Sequence, residues 1–339
     1  MNRYAITILL TLAGCPSERN LFEQVKTDVW AQAPTNLVDI LWVIDDSASM
    51  TEEQNVLVNG FASFASEVDT SGTDFHLGVI TTSFDYADPA RASLRGDPPF
   101  LTPADDYQAL FPERALVGIG GEDKEKGLEA AVWALQPTLN LPGAPNDGFV
   151  RKDAQLLTVF VSDEEDCSDE GALEGQPPEA CYQQMDELPP VDGFVDALRD
   201  LKPGDRGAVQ VAAIVGTSRS TCPDVYTGNR YVQAAGLTGG LVGDICQSDW
   251  SQMLGDLGLN ATGIRTQFQL SYAAQPDTLE VYVDDEKVPG DPVNGWTYDE
   301  PSWYLEFHGD AIPPRGSAVS ATYTVQPGAP SPVVTSSAR

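Results

Sequence analysis

The sequence predicts an α/β fold: a doubly wound, mainly parallel sheet followed by a small C-terminal antiparallel β domain. Three observations carry this expectation. Apolar runs of strand length recur at "VDILWVI" (38–44), "FHLGVITT" (75–82), "AQLLTVFVS" (154–162) and "GAVQVAAIVG" (207–216). Continuous Val/Ile-rich runs of this kind mark strands covered on both faces, as parallel strands are. Segments of helical period lie between them, and alternating strands and helices build an open parallel sheet whose ligand site lies outside the carboxyl ends of the strands. After about residue 263 the pattern changes to short stretches that alternate apolar and polar residues between Pro, Gly and Asp, which is the signature of antiparallel strands.

Taken in order, residues 16–34 show no sustained period and end at Pro34, so 15–34 reads as a tether. The first strand follows, then a helix over "TEEQNVLVNGFASFASEV" with Val56, Phe61, Phe64 and Val68 near helical spacing. Glu52 and Glu53 suit the first turn of that helix. "GGEDKEKGLEAAVWALQ" gathers Leu128, Ala131, Val132 and Leu135 on one side, and "VDGFVDALRDL" and "SDWSQMLGDLG" are further helices. Residues 35–262 are thus expected as the α/β domain. Residues 263–326 are expected as a β domain containing "RTQFQLSY", "DTLEVYVDDEKV", "SWYLEFHGD" and "SAVSATYTV", and 327–339 as a Pro/Ser-rich disordered tail.

A chain of 339 residues with 42% hydrophobic content can bury one full-sized domain and a smaller companion. The formal charge of −32 argues against a nucleic-acid partner, because such a surface cannot replace the counterions of a phosphate backbone. At the N-terminus Arg3 precedes a short apolar stretch, Tyr4 to Leu12, and Leu12-Ala13-Gly14-Cys15 resembles a bacterial lipobox. Residues 1–14 are then a signal peptide and Cys15 the lipidated residue, anchoring the protein in the cell envelope. Pro16 rather than Asp follows it, so the usual inner-membrane retention signal is absent and the outer membrane is expected. The four remaining cysteines imply disulfides in an exported chain, and proximity favours Cys167 with Cys181 and Cys222 with Cys246. Zinc is the weaker reading: there is no Cys-x-x-Cys, and the histidines are His76 and His308.

The candidate site begins where the first parallel strand ends, in "IDDSASM" (44–50). The pair Asp45 and Asp46 resembles the acidic pair of a response-regulator receiver domain. A receiver also needs an Asp at the end of a later strand and a Lys on the last one, but "FHLGVITT" ends in threonines and "VAAIVGTS" carries no Lys. The pattern Asp-x-Ser-x-Ser, made of Asp45, Ser47 and Ser49, instead resembles the metal-ion-dependent adhesion site of von Willebrand factor A domains. Asp163 in "VFVSDEED" matches that family's acid after the fourth strand. The overall order of segments resembles a group of exported bacterial von Willebrand A lipoproteins, including Trp296-Thr297-Tyr298 in the β unit.

That resemblance implies a divalent cation, Mg²⁺ first and Mn²⁺ or Ca²⁺ as alternatives, held by Asp45, Ser47, Ser49 and Asp163. Where the family has a Thr, this sequence has Glu122, which would add a negative charge or satisfy the metal internally. Glu125, or Thr81 and Thr82, are the other residues able to take part. A hard cation with few charged ligands stays electrophilic and accepts a carboxylate from a protein partner. The implied function is metal-dependent protein binding or adhesion by a membrane-anchored envelope lipoprotein, not catalysis. A structural lipoprotein with a degenerate site and a metal-dependent hydrolase are the alternatives; no nucleophile with a partner base is apparent for the latter. From Asp163 to Glu187 there are ten acids and no Lys or Arg, which reads as a solvated loop or a cation-concentrating rim.

Overall fold

The computed structural model describes residues 24–32, 35–122, 124–203, 206–223, 225–262, 264–300 and 303–327. The expected signal peptide, Cys15 and the tail from 328 lie outside these residues.

Strands β1 (Val25–Ala31), β2 (Leu37–Ile44) and, after helix α1 (Thr51–Thr70), β3 (Asp74–Thr81) open the chain. Helices α2 (Tyr107–Ala115) and α3 (Gly127–Leu135) precede β4 (Gln155–Ser162). The short α4 (Ala180–Gln183) and α5 (Val191–Asp200) lead to β5 (Val209–Val215). Helix α6 (Asn229–Thr238), strand β6 (Val242–Asp244) and α7 (Ser251–Ala261) follow. The remaining strands are β7 (Gln267–Gln269), β8 (Glu280–Val283), β9 (Glu286–Val288), β10 (Trp296–Asp299), β11 (Tyr304–Phe307) and β12 (Ala318–Thr324).

Five strands in the order β3-β2-β4-β5-β6 pair in parallel. The pleat of β2 sends Ile40, Trp42 and Ile44 to a core shared with α1, α2 and α7, and Leu41 and Val43 to a second core shared with α3, α5 and α6. Trp42 meets Phe64 and Phe111 at 5.6 and 5.3 Å between ring centroids. Burial on both faces explains the unbroken apolar runs in the sequence.

The expected fold class requires correction. The antiparallel part is not a C-terminal appendage: β1 lies at the edge of a four-stranded sheet, β1-β12-β8-β9, and a three-stranded sheet, β10-β11-β7, completes it. The described residues form a mixed α/β fold with three sheets, and the parallel unit is inserted between the first strand of an antiparallel unit and the rest of it. The 15–34 tether is corrected with it. Val25 to Ala31 pair residue for residue with Thr324 to Ala318. The strand escapes a pattern reading because its alternation is inverted: Val25 and Val29 face outward, whereas Lys26, Asp28 and Trp30 turn inward. Trp30 packs on Phe268 at 5.5 Å, and Asp28 accepts hydrogen bonds from the Tyr323 hydroxyl (2.7 Å) and from the Ser271 N–H and hydroxyl (2.7 and 2.6 Å).

Gln32 fastens the end of β1 to the rest of the antiparallel unit. Its side-chain amide donates to the Arg265 and Pro313 carbonyls (2.9 and 3.0 Å), its Oε1 accepts from Arg265 N–H (3.0 Å), and its own N–H donates to the Ser317 carbonyl (2.8 Å). The β8–β9 hairpin turns on Asp284 and Asp285, both at positive φ (48° and 67°), a geometry in which Asp is tolerated. The disulfides join Cys167 to Cys181 and Cys222 to Cys246, as sequence proximity predicts. No described helix is long and apolar enough to cross a membrane.

Candidate functional site

The sheet ladder sets three strand ends level. Asp45 N–H donates to the Val161 carbonyl (2.9 Å) and Thr82 N–H to the Ile44 carbonyl (3.2 Å), so the residues just past β2, β3 and β4 emerge side by side. Asp45 is fully buried there. Its Oδ1 accepts from Ser47 N–H (2.7 Å) and its Oδ2 from the Ser162 hydroxyl (2.6 Å). Gln54 on α1 braces the same turn, donating to the Asp45 carbonyl (3.0 Å) and to the Gly118 carbonyl (2.8 Å). With both carboxylate oxygens engaged, Asp45 is held as an orienting group behind the hydroxyls.

Ser47 and Ser49 present those hydroxyls 3.2 Å apart. Adjacent ligands of an octahedral ion with bonds of about 2.1 Å stand about 3.0 Å apart, so the pair matches two neighbouring coordination positions. Asp163 follows β4 directly and is buried, with Oδ1 lacking any hydrogen-bond partner. Burial, the Asp45 carboxylate and neighbouring acids hold its carboxyl up to about 7, with Ser49 beside it pulling the other way.

The loop before α3 departs from the sequence expectation. Glu122 is exposed, and its N–H donates to the Ser83 hydroxyl (2.8 Å), which in turn donates to Asp46 Oδ1 (2.8 Å). Gly121 N–H donates to the Asp46 carbonyl (2.8 Å), and a Cβ at Gly121 would collide with the Asp46 carboxylate, so this close approach requires glycine. Glu122 is thereby turned outward, and the acid delivered to the interior is Glu125. It forms a bridge with Ser83, and Lys126 N–H, next to it, donates to the Thr82 carbonyl (3.0 Å). Both Glu125 carboxylate oxygens and the Thr82 hydroxyl are buried without a hydrogen-bond partner of good geometry, Thr82 standing close enough to Glu125 to oppose the rise of its carboxyl. Burial first, and the Asp45 carboxylate next, push the Glu125 carboxyl well above its ordinary range.

The structure therefore brings together Asp45, Ser47, Ser49, Thr82, Glu125 and Asp163. Asp46, a bystander to the site itself, positions the Gly121 loop. Among the described residues no three Asp, Glu, His or Cys side chains form a metal-holding group by themselves; the set here mixes three hydroxyls with carboxylates. Hydroxyls with orphaned, buried carboxylate oxygens beside them are the donor chemistry a hard divalent ion takes. Ser162 and Gln54 escape sequence reading. Gln54 left one trace, since it stands on the same helical face as Leu57, Phe61 and Phe64.

Burial raises the carboxyls of Asp45, Glu125 and Asp163 alike, and this makes stability depend on pH. Where the folded state holds its protons more tightly than the unfolded chain, stability is full below the unfolded value and is lost as pH rises through the folded one. For Asp163 the window runs from about 4 to about 7. Urea denaturation in EDTA is expected to show stability falling across that window, with excess magnesium suppressing the fall. A flat or rising profile in EDTA contradicts the placement of these acids.

The acidic stretch after Asp163 is only partly a solvated loop. Glu165 accepts from Asn229 and Arg230 N–H (2.9 Å each) at the start of α6, and Asp166 accepts from Leu128 N–H (3.0 Å) at the start of α3 and from Arg230 Nε (2.9 Å). Asp169 pairs with Lys126 at 2.7 Å. Acids at helix N-termini are favourable, and here they lock two helices to the site loop. Beside Glu164 two exposed rings, Tyr182 and Tyr226, stand 5.2 Å apart, one just after Cys181 and the other within the loop closed by Cys222 and Cys246. His76 hydrogen-bonds the Phe149 carbonyl (2.9 Å) near the start of β3, and His308 the Thr297 hydroxyl (2.8 Å) in the β unit. Each thus has its own local partner, and neither is paired with Ser47 or Ser49.

No family model matches this chain, and no curated protein matches it. Among solved structures it is similar to the pilus adhesin SpaC from Lactobacillus rhamnosus GG in its open conformation, with 11% identity and a TM-score of 0.41. It is also similar to proximal thread matrix protein 1 from the mussel byssus, with 13% identity and a TM-score of 0.40. The matches cover 89% and 72% of this chain, which spans 41% of the adhesin and 52% of the thread protein.

Proposed function

We propose that this chain is a non-catalytic binding module of the bacterial cell envelope that captures a protein ligand through a divalent cation, Mg²⁺ in preference to Mn²⁺ or Ca²⁺. Ser47, Ser49 and Thr82 supply neutral oxygens, Glu125 and Asp163 supply charge, and Asp45 orients the serines from behind. The observation that carries this reading is the set of buried oxygens left without partners on Glu125, Asp163 and Thr82, beside a pair of hydroxyls at coordination spacing. Leaving such oxygens dry and unpaired is costly, and a cation offsets that cost.

The cation would offer an open position to an acidic side chain of the partner. The exposed Tyr182 and Tyr226 supply the aromatic contact area on which protein interfaces rely. Lipidation at Cys15 would tether the module to the outer membrane.

Calorimetric titration of the soluble fragment with magnesium, manganese and calcium tests the reading. Saturating magnesium is expected to raise the unfolding temperature, with a stabilisation of about 2.7 kcal/mol at a hundredfold excess over Kd. Ser47→Ala and Glu125→Gln should weaken binding, and Glu122→Gln should leave it unchanged. Absence of binding heat together with an unshifted unfolding temperature for all three ions would remove the cation from the account.

A further inference from the structure

A second site lies away from the cation site, at the free edge of the parallel sheet. Strand β6 is the last strand of the order β3-β2-β4-β5-β6, and a cleft of about 730 Å³ opens beside it, walled by α6 and α7. That size falls in the range of ligand clefts. In a parallel pair alternate residues send both N–H and C=O to the same neighbour. Ala213 N–H donates to the Leu241 carbonyl (2.9 Å) and Ile245 N–H to the Val215 carbonyl (3.1 Å), which places residues 241, 243 and 245 on the β5 side. Val242 and the Asp244 N–H are thus directed away from β5, toward the cleft, and the Val242 side chain is exposed.

The cleft walls carry the side-chain amides of Gln247 and Gln252, which suit the N–H and C=O groups of an incoming backbone, while the Asn229 amide there is already donated to Glu165 (3.1 Å). A smaller cavity of about 240 Å³ continues the groove toward β7, sharing Leu241 and Asp256 with the first. Charge along it is one-sided. Asp256 lines the larger cleft with Asp244, whose Oδ1 already accepts from the Ser220 hydroxyl and Cys246 N–H, against a single lining cation, Arg219, and Glu306 lines the smaller one. Burial first, and then the nearby Glu306 and Glu67 carboxylates, raise the Asp256 carboxyl above its ordinary range. An extended segment lying here meets hydrogen-bonding edge, amides and acids together.

We infer that the β6 edge and its cleft bind an extended, lysine- or arginine-bearing peptide segment of a partner protein by strand addition. The mode uses main-chain hydrogen bonds for affinity and alternate side chains for selection, so basic residues at every second position would face the acids. This inference does not depend on the cation.

The test uses two fluorescent peptides of about ten residues, one alternating Lys with Thr and one alternating Glu with Thr. Fluorescence anisotropy is expected to show the lysine peptide binding at least about tenfold more tightly than the glutamate peptide, equivalent to about 1.4 kcal/mol. Val242→Pro removes an outward N–H at an edge, where proline is tolerated, and should weaken binding while leaving the unfolding temperature unchanged. Asp256→Lys, on the exposed side of α7, should weaken it independently. Failure of the lysine peptide to bind, equal binding of both peptides, or binding unchanged in both variants would each overturn the inference. So would concentration-dependent dimerisation abolished by Val242→Pro, which would assign the edge to a second copy of this chain.

Discussion

Asp39→Ala is expected to destabilise the fold by about 3–5 kcal/mol, the usual loss when one partner of a buried charge cluster is removed. Asp39 is fully buried on β2, at the end of the sheet opposite the candidate site. Its carboxylate takes Arg151 Nε (2.8 Å) and Arg151 N–H (2.7 Å) and lies 3.4 Å from Lys202 Nζ. Lys202 donates its main hydrogen bond, at 2.5 Å, to the Arg151 carbonyl. Burial already holds the Lys202 ammonium below its ordinary range, and Asp39 pulls against that. Without Asp39 the buried Lys202 loses its carboxylate in a dry setting, whereas Arg151 keeps its pair with Asp74 at 2.7 Å. Urea unfolding measures the loss; a change under about 1 kcal/mol would mean that water reaches the cluster and screens it. Magnesium affinity should be unaltered, because the cluster and the strand ends that form the site lie at opposite ends of β2.

Asp166→Ala is expected to cost a similar amount, about 3–5 kcal/mol, and in addition to weaken cation binding. Asp166 holds the buried Arg230 and accepts from the first turn of α3. Arg230 in turn donates to the Pro189 and Ser168 carbonyls (2.9 and 3.2 Å). Glu125 stands two residues before α3, and Cys167 N–H donates to its carbonyl (2.5 Å), so releasing this corner lets the Glu125 carboxylate move. Paired unfolding and calorimetry on the two variants separate the clusters: equal magnesium affinity in Asp39→Ala and Asp166→Ala would show that the acidic loop does not position the site.

Much of the parallel sheet was legible because burial on both faces leaves unbroken apolar runs, and those runs end in Asp45 and Asp163. Ser47 and Ser49 were legible from their spacing to Asp45. The choice between Glu122 and Glu125 was not. It depends on the Asp46, Ser83 and Gly121 contacts, which join residues far apart in sequence and have no local period. Asp39 was hidden inside "VDILWVI", where a single acid does not interrupt the strand signal although its partners come from residues 151 and 202. Strand β1 was missed because Val25 and Val29 lie on the wet face while Lys26 and Asp28 turn inward beside Trp30. The acidic loop misled for the opposite reason: composition marks it as solvated, yet Asp166 and Asp169 are buried by cations, Arg230 and Lys126, that a composition count places elsewhere.

The insertion of the parallel unit after β1 has a mechanical consequence. Tension applied between the start of β1 and Ser47 runs along one short path, through β1, Gln32 and β2. The rest of the parallel unit hangs off that path. Strand β1 is drawn along its own axis while paired over seven residues with β12, so its hydrogen bonds resist as a group rather than one at a time. Gln32, with four hydrogen bonds at the end of that strand, is the rivet at which the pull is shared with the antiparallel unit before it reaches the site.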